Sequence, residues 1–153
     1  MLTVVLLLVH AGVAALWLGA MSYSLFVLQP KIARMCDGDP VRIEDAERVL
    51  ANGNRRPVLA LVTVLWLSGI ALTGLAAADG LSTTGWLLVG IKAVLLAVAS
   101  GLFWWVSWRG WPRRVFALPA ELPGLRRRFR LVAFAMLALV GAAAVLGFVG
   151  GHA

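Results

Sequence analysis

The chain has 153 residues, enough for one ordinary domain, but its composition is not that of a soluble domain. Apolar residues (AVILMFWYC) make up 61% and charged residues 14%, against about 45–50% (with glycine counted) and about 25% in typical soluble chains. A chain this short has too little interior to hide so many apolar side chains from water, so its solvent should be lipid. This composition excludes a soluble enzyme and, despite the net charge of +7, a nucleic-acid-binding protein. The single cysteine excludes a secreted domain held together by disulfide bonds within the chain.

Four segments are apolar and close to the length of about 20 residues that a bilayer-crossing helix needs. They span residues 2–28, 58–78, 86–105 and 131–149. We therefore predict an all-α integral membrane protein, an antiparallel four-helix bundle that forms a single domain over residues 1–153. Small residues of the fourth span should allow close helix packing; these are Ala135, Ala138 and Ala142. We see no convincing sequence repeat between the two halves of the chain.

A short additional helix is predicted in the loop between the first two spans. Asp39 followed by Pro40 is typical of a helix N-terminus. The helix should run over about residues 40–52, with Val41 and Val49 on the bilayer and Glu44 in water.

The distribution of Lys and Arg predicts the orientation of the bundle. Six of the 14 basic residues lie in the loop 29–57 and seven in the loop 106–130, whereas the loop 79–85 has none. Because cytoplasmic loops are enriched in Lys and Arg, we expect both long loops in the cytoplasm and both termini on the periplasmic side.

Two ionisable side chains, His10 and Lys92, lie inside the spans, where such groups are costly and often functional. At 1.5 Å per residue, His10 is about 12 Å beyond Leu2 and Lys92 about 10 Å beyond Gly85. Since both of these helix ends should face outward, the two side chains should share one depth in the outer leaflet. The structural alternatives are an interhelical hydrogen bond for His10 and a Lys92 stem that extends to the membrane surface.

The first span carries further candidate ligands on the face of His10. At helical spacing this face includes Trp17 and Met21. Imidazole and thioether groups suit copper, so His10 and Met21 are candidate metal ligands, and His10, Trp17 and Lys92 are candidate cofactor contacts. Packing in the core is the alternative for Met21. The spans hold one histidine and no Asp or Glu, so a bis-histidine haem and a carboxylate proton relay are excluded. We expect no catalytic residue.

These residues resemble a pattern of the CopD (copper-resistance protein D) family of bacterial inner-membrane proteins. The resemblance depends on His10 followed by Trp17-Leu18-Gly19, on Leu72-Thr73-Gly74, and on Thr84-Gly85-Trp86-Leu87-Leu88 leading to Lys92. This last segment is similar to the family's Tyr-Gly-x-Leu-Leu-x-Lys segment. The resemblance implies a multi-pass inner-membrane protein that handles copper, or another cation or cofactor, often with a periplasmic copper-binding partner.

Two alternatives remain open. A weaker resemblance is to the HemJ-type four-helix protoporphyrinogen oxidases, which share the early His, the Trp that follows it and a Lys in the third span. It implies that His10 ligates a haem or holds a porphyrin, and that Lys92 pairs with a propionate. The other alternative is a non-catalytic accessory subunit that packs against other membrane subunits or against a second copy of this chain.

Overall fold

The computed structural model describes residues 1–150, which form five helices and no strand. We label the helices α1 (Leu2–Met35), α2 (Pro40–Ala51), α3 (Arg55–Ala78), α4 (Thr83–Val115) and α5 (Leu122–Gly150). All except α2 are long and apolar enough to cross a membrane. The predicted all-α, four-helix membrane bundle is therefore confirmed, and the protein is a multi-pass membrane protein.

The long helices extend beyond the predicted spans on one side of the bundle. α1 continues to Met35 and α4 to Val115, past the predicted ends at Leu28 and Trp105. We call this side, which holds both long basic loops, the basic end. The opposite side holds the start of α1, the end of α5 and the short α3–α4 connection, and we call it the terminal end.

The core of the bundle takes side chains from all four long helices. Trp17 of α1, Val62 and Leu65 of α3, Ala99 of α4 and Val140 of α5 form one buried cluster. The indole of Trp66 on α3 also donates a hydrogen bond of 3.2 Å to the Ser100 hydroxyl on α4. One apolar layer and a few polar contacts thus hold the helices together.

Most of the remaining apolar surface faces outward, as expected for a protein in lipid. Leu8, Leu67, Leu87 and Val94 are each more than half exposed. The small residues of the fourth span face outward too, so the prediction that they pack inside the bundle is wrong; Ala135, Ala138 and Ala142 are all exposed. The buried face of α5 carries larger side chains instead, among them Met136 and Val140.

A π-turn interrupts both α1 and α4 just before a proline. The backbone N–H of Gln29 bonds to the Ser24 carbonyl, five residues back, and that of Trp111 bonds to the Val106 carbonyl in the same way. A proline inside a helix clashes with the carbonyl four residues earlier. The wider turn relieves that clash, and both helices continue through Pro30 and Pro112.

The two π-turns share their spacing with the prolines and with two core residues. Pro30 and Pro112 are 82 residues apart, and so are the two π-turns. The same spacing relates Trp17 to Ala99, which are 1% and 0% exposed and share the core cluster. α1 and α4 therefore share a local pattern, in which a buried core residue is followed by a π-turn and a proline at the same spacing.

The short helix α2 begins as predicted, but its acidic residue Glu44 is buried against the rest of the protein. The Asp39 carboxylate accepts a hydrogen bond of 2.9 Å from the Val41 N–H. Val41 and Val49 are exposed, but Glu44, expected in water, is only 1% exposed. That expectation is wrong because Glu44 has an ionic partner on α4.

This partner is Arg114, which anchors α2 to the basic end of the bundle. Its guanidinium lies 2.8 Å from the Glu44 carboxylate and also pairs with Glu47. Arg48 in turn donates hydrogen bonds of 3.0 Å to the carbonyls of Arg114 and Val115, at the end of α4. These ion pairs and hydrogen bonds form one network. It satisfies backbone carbonyls at the end of α4 and holds in place the loop that follows α1.

We predict that Glu44→Gln destabilises the protein by about 3 kcal/mol, the lower end of the cost of breaking a buried ion pair, because Glu47 continues to pair with Arg114. The measurement is unfolding of the detergent-purified protein by SDS titration. Asp45→Asn is the matched control, since Asp45 lies on the same helix but is exposed. Equal stability of the two variants would contradict a structural role for the pair.

Candidate functional site

A histidine–serine pair joins α1 to α3 near the terminal end. The Nδ1 atom of His10 lies 2.7 Å from the hydroxyl oxygen of Ser68. This hydroxyl also lies 2.6 Å from the backbone carbonyl of Val64. Ser68 is buried and His10 is half-buried.

The geometry of the pair determines which ring nitrogen carries the proton. A carbonyl oxygen only accepts hydrogen bonds, so the single hydroxyl proton of Ser68 is donated to Val64. The Ser68 oxygen must then accept a hydrogen bond from the Nδ1–H of His10. A neutral imidazole protonated at Nδ1 has its lone pair on Nε2, and this is the nitrogen that remains to bind a ligand.

A glycine next to Ser68 makes room for the ring. A methyl group on Gly69 would lie 3.3 Å from Cε1 of His10, which is tighter than ordinary van der Waals contact. Two small residues of α3 therefore accommodate the histidine: Ser68 accepts a hydrogen bond from its Nδ1–H, and Gly69 leaves space for its ring. From the sequence, Ser68 and Gly69 were predicted only to be small residues that allow helix packing; a hydroxyl within an apolar span was the available signal for a further role.

Lys92 lies at a depth similar to that of this histidine, as predicted. His10 and Lys92 are 82 residues apart, so they occupy corresponding positions on α1 and α4. Each stands seven residues, about two turns or 10 Å, from Trp17 or Ala99 in the core. The two ionisable residues of the spans therefore lie on the same side of the core layer, toward the terminal end.

The other two predicted site residues lie deeper in the bundle. Trp17 is 1% exposed and is part of the core cluster, and Met21 packs against that cluster. Met21 is eleven residues from His10, about 16 Å along a helix, so these two side chains cannot bind the same ion. Trp17 forms the packed layer beneath the site rather than part of its ligand shell.

This chain offers few ligands for a resident metal. Among residues 1–150, no group of three or more His, Cys, Asp or Glu side chains is placed to hold a metal ion. His152, the other histidine of the chain and a further candidate nitrogen donor, lies outside the described residues. Toward the terminal end, the described chain supplies one directed nitrogen donor, on His10, and one amine at a similar depth, on Lys92. Such a site suits a cargo or cofactor that brings the remaining ligands itself.

Comparison with models of known protein families, with curated proteins and with solved structures finds no match for this chain.

We predict that Ser68→Ala removes the preference for the Nδ1–H form and allows a substantial population of the Nε2–H form. The measurement is the ¹⁵N chemical shift of the two ring nitrogens in an otherwise intact His152→Ala background, where His10 is the one remaining histidine.

The control for this prediction is Ser100→Ala. The Ser100 hydroxyl likewise bonds to a carbonyl four residues back, but it accepts from Trp66 instead of His10. The His10 shifts should be unchanged in this variant. Unchanged shifts in Ser68→Ala would show that the serine does not fix the tautomer.

Proposed function

We propose that the protein handles copper at a site in the outer leaflet of a bacterial inner membrane, with Nε2 of His10 as its ligand. The observation that carries the proposal is the hydrogen bond from Nδ1 of His10 to Ser68. Histidines that bind metals donate their other ring N–H to a fixed acceptor, which orients the ring and sets its tautomer. Imidazole is a ligand that suits copper.

The orientation in this proposal follows the basic residues. The loops at the basic end carry 13 of the 14 Lys and Arg residues, which favours the cytoplasmic side for that end. The terminal end then faces the periplasm, and the site opens toward a periplasmic copper-binding partner. The resemblance to CopD proteins supports the same assignment.

The proposal describes a transfer site. His10 supplies one ligand, so the donor protein retains others until copper moves on. The amine of Lys92 must be neutral or turned away from the ion during this step, since an ammonium group would repel it.

We predict that His10→Gln weakens binding of Cu(I) more than the roughly 10–100-fold typical of losing an outer-shell partner. The experiment titrates Cu(I) into the detergent-purified full chain in competition with a chromophoric chelator. Ser68→Ala should weaken binding by about tenfold, since it affects the ligand only through its orientation.

The control for copper binding is His152→Gln, the same change at the other histidine of the chain. We expect its affinity to equal that of the wild type. If His10→Gln and His152→Gln bind Cu(I) equally well, copper handling at His10 is wrong.

Haem or porphyrin is a second candidate ligand, favoured by an amine at the same depth as the imidazole. The iron of a haem would take Nε2 of His10, and a propionate would pair with Lys92. This arrangement uses the charge of Lys92, whereas the copper proposal must neutralise or displace it.

We predict that, if haem is the ligand, Lys92→Gln weakens its binding about tenfold or more, the usual value of a hydrogen bond to a charged group. The measurement is the Soret absorption on titration with haemin. Lys31→Gln, at the other lysine of the chain and in the basic loop, is the control. If the Soret band in all three proteins stays that of free haemin, with no shift on binding, haem is excluded. Failure of both titrations would favour the accessory-subunit hypothesis, whose test is co-purification with stoichiometric partners.

A further inference from the structure

A cavity of about 140 Å³ lies at the basic end, far from the His10 site. It is bordered by the end of α1, the π-turn of α4 and the first half of α5. Val132 and Met136 supply part of its apolar wall, and Gln29, Arg126 and Arg130 supply polar groups. Since a water molecule occupies about 30 Å³ in the liquid, the cavity accommodates a group the size of a phosphate.

The cavity carries an excess of positive charge. Its lining has three arginines, Arg114, Arg126 and Arg130, and one carboxylate, Glu47. Arg114 pairs with Glu44 and Glu47, and Arg126 lies 3.5 Å from Glu47.

Arg130 forms none of the ion pairs of the described chain. The carboxylates of the network are already engaged with other arginines, so Arg130 is available to an anion, and Arg126 lies four residues before it on the same helix.

The position of the cavity corresponds to the headgroup level of a bilayer. Gln29 directly follows the first apolar segment, and Arg130 directly precedes the last. The apolar wall at Met136 lies one to two turns deeper along α5. A ligand here meets cations at the membrane surface and apolar side chains toward the acyl region.

We propose that this cavity binds the phosphate group of an anionic lipid from the leaflet at the basic end. Arg126 and Arg130 are four residues apart, so they lie on the same face of α5, and their guanidinium groups donate hydrogen bonds to the phosphate oxygens. The amide of Gln29 is a further donor. The glycerol and acyl carbons of the lipid contact the apolar wall.

The test measures thermal stabilisation of the detergent-purified full chain by dioleoyl-phosphatidylglycerol, by dioleoyl-phosphatidylcholine and by inorganic phosphate. We expect phosphatidylglycerol to raise the melting temperature at lower concentration than phosphatidylcholine, and inorganic phosphate to have no effect. Arg130→Gln should raise the half-saturating concentration of phosphatidylglycerol about fivefold, as expected for roughly 1 kcal/mol per basic residue. Native mass spectrometry of retained phosphatidylglycerol gives a second measurement that does not depend on protein stability.

Arg127→Gln is the matched control, because it removes one charge from the same run of arginines but does not line the cavity. It should respond to phosphatidylglycerol as the wild type does. Equal responses of Arg127→Gln and Arg130→Gln would show general surface attraction and overturn the proposal. Equal effects of the two lipids would show that the charge of the headgroup is not recognised. Stabilisation by inorganic phosphate would assign the site to a soluble anion. Either result would also overturn the proposal of a lipid site.

Discussion

In lipid, a polar side chain has no water to bind, and this constraint accounts for the contacts that hold the four helices in place. His10 bonds to Ser68, Trp66 bonds to Ser100, and each bond joins two different helices. At the basic end, the buried carboxylate of Glu44 requires Arg114 from a distant part of the chain. Because the outward surfaces are apolar, association of the helices depends on these bonds together with the packed core.

Features that depend on local composition were predictable from the sequence. The four apolar segments became helices, and the pair Asp39-Pro40 started the short helix as expected. The common depth of His10 and Lys92 followed from counting residues along two oriented helices. No residue beyond the segment itself is needed for these predictions.

Features that depend on distant partners were not predictable in this way. Glu44 was assigned to water because charged residues usually are, but its partner Arg114 is 70 residues away. The extensions of α1 and α4 were missed because proline usually ends a helix. Ser68 was counted among small packing residues, since nothing local shows that an imidazole from another helix bonds to it.

The core layer separates the two ends of the bundle. Trp17 and Ala99 are both almost fully buried in the cluster between the His10 site and the basic-end cavity. Under the proposed function, copper bound by His10 would meet a packed indole rather than an open channel. Passage across the membrane would require this layer to rearrange, whereas capture and transfer within the outer leaflet would not.

The π-turns have a geometric consequence for everything beyond them. Each π-turn contains one residue more than an ordinary helical turn. One residue corresponds to a rotation of about 100° around the helix axis. Ile32 and Arg114, which follow the two turns, are both buried. Loss of one residue from either turn would swing these side chains away from the interior. Evolution of this chain is thus expected to tolerate substitutions in Ser24–Leu28 and Val106–Gly110 more readily than single-residue deletions.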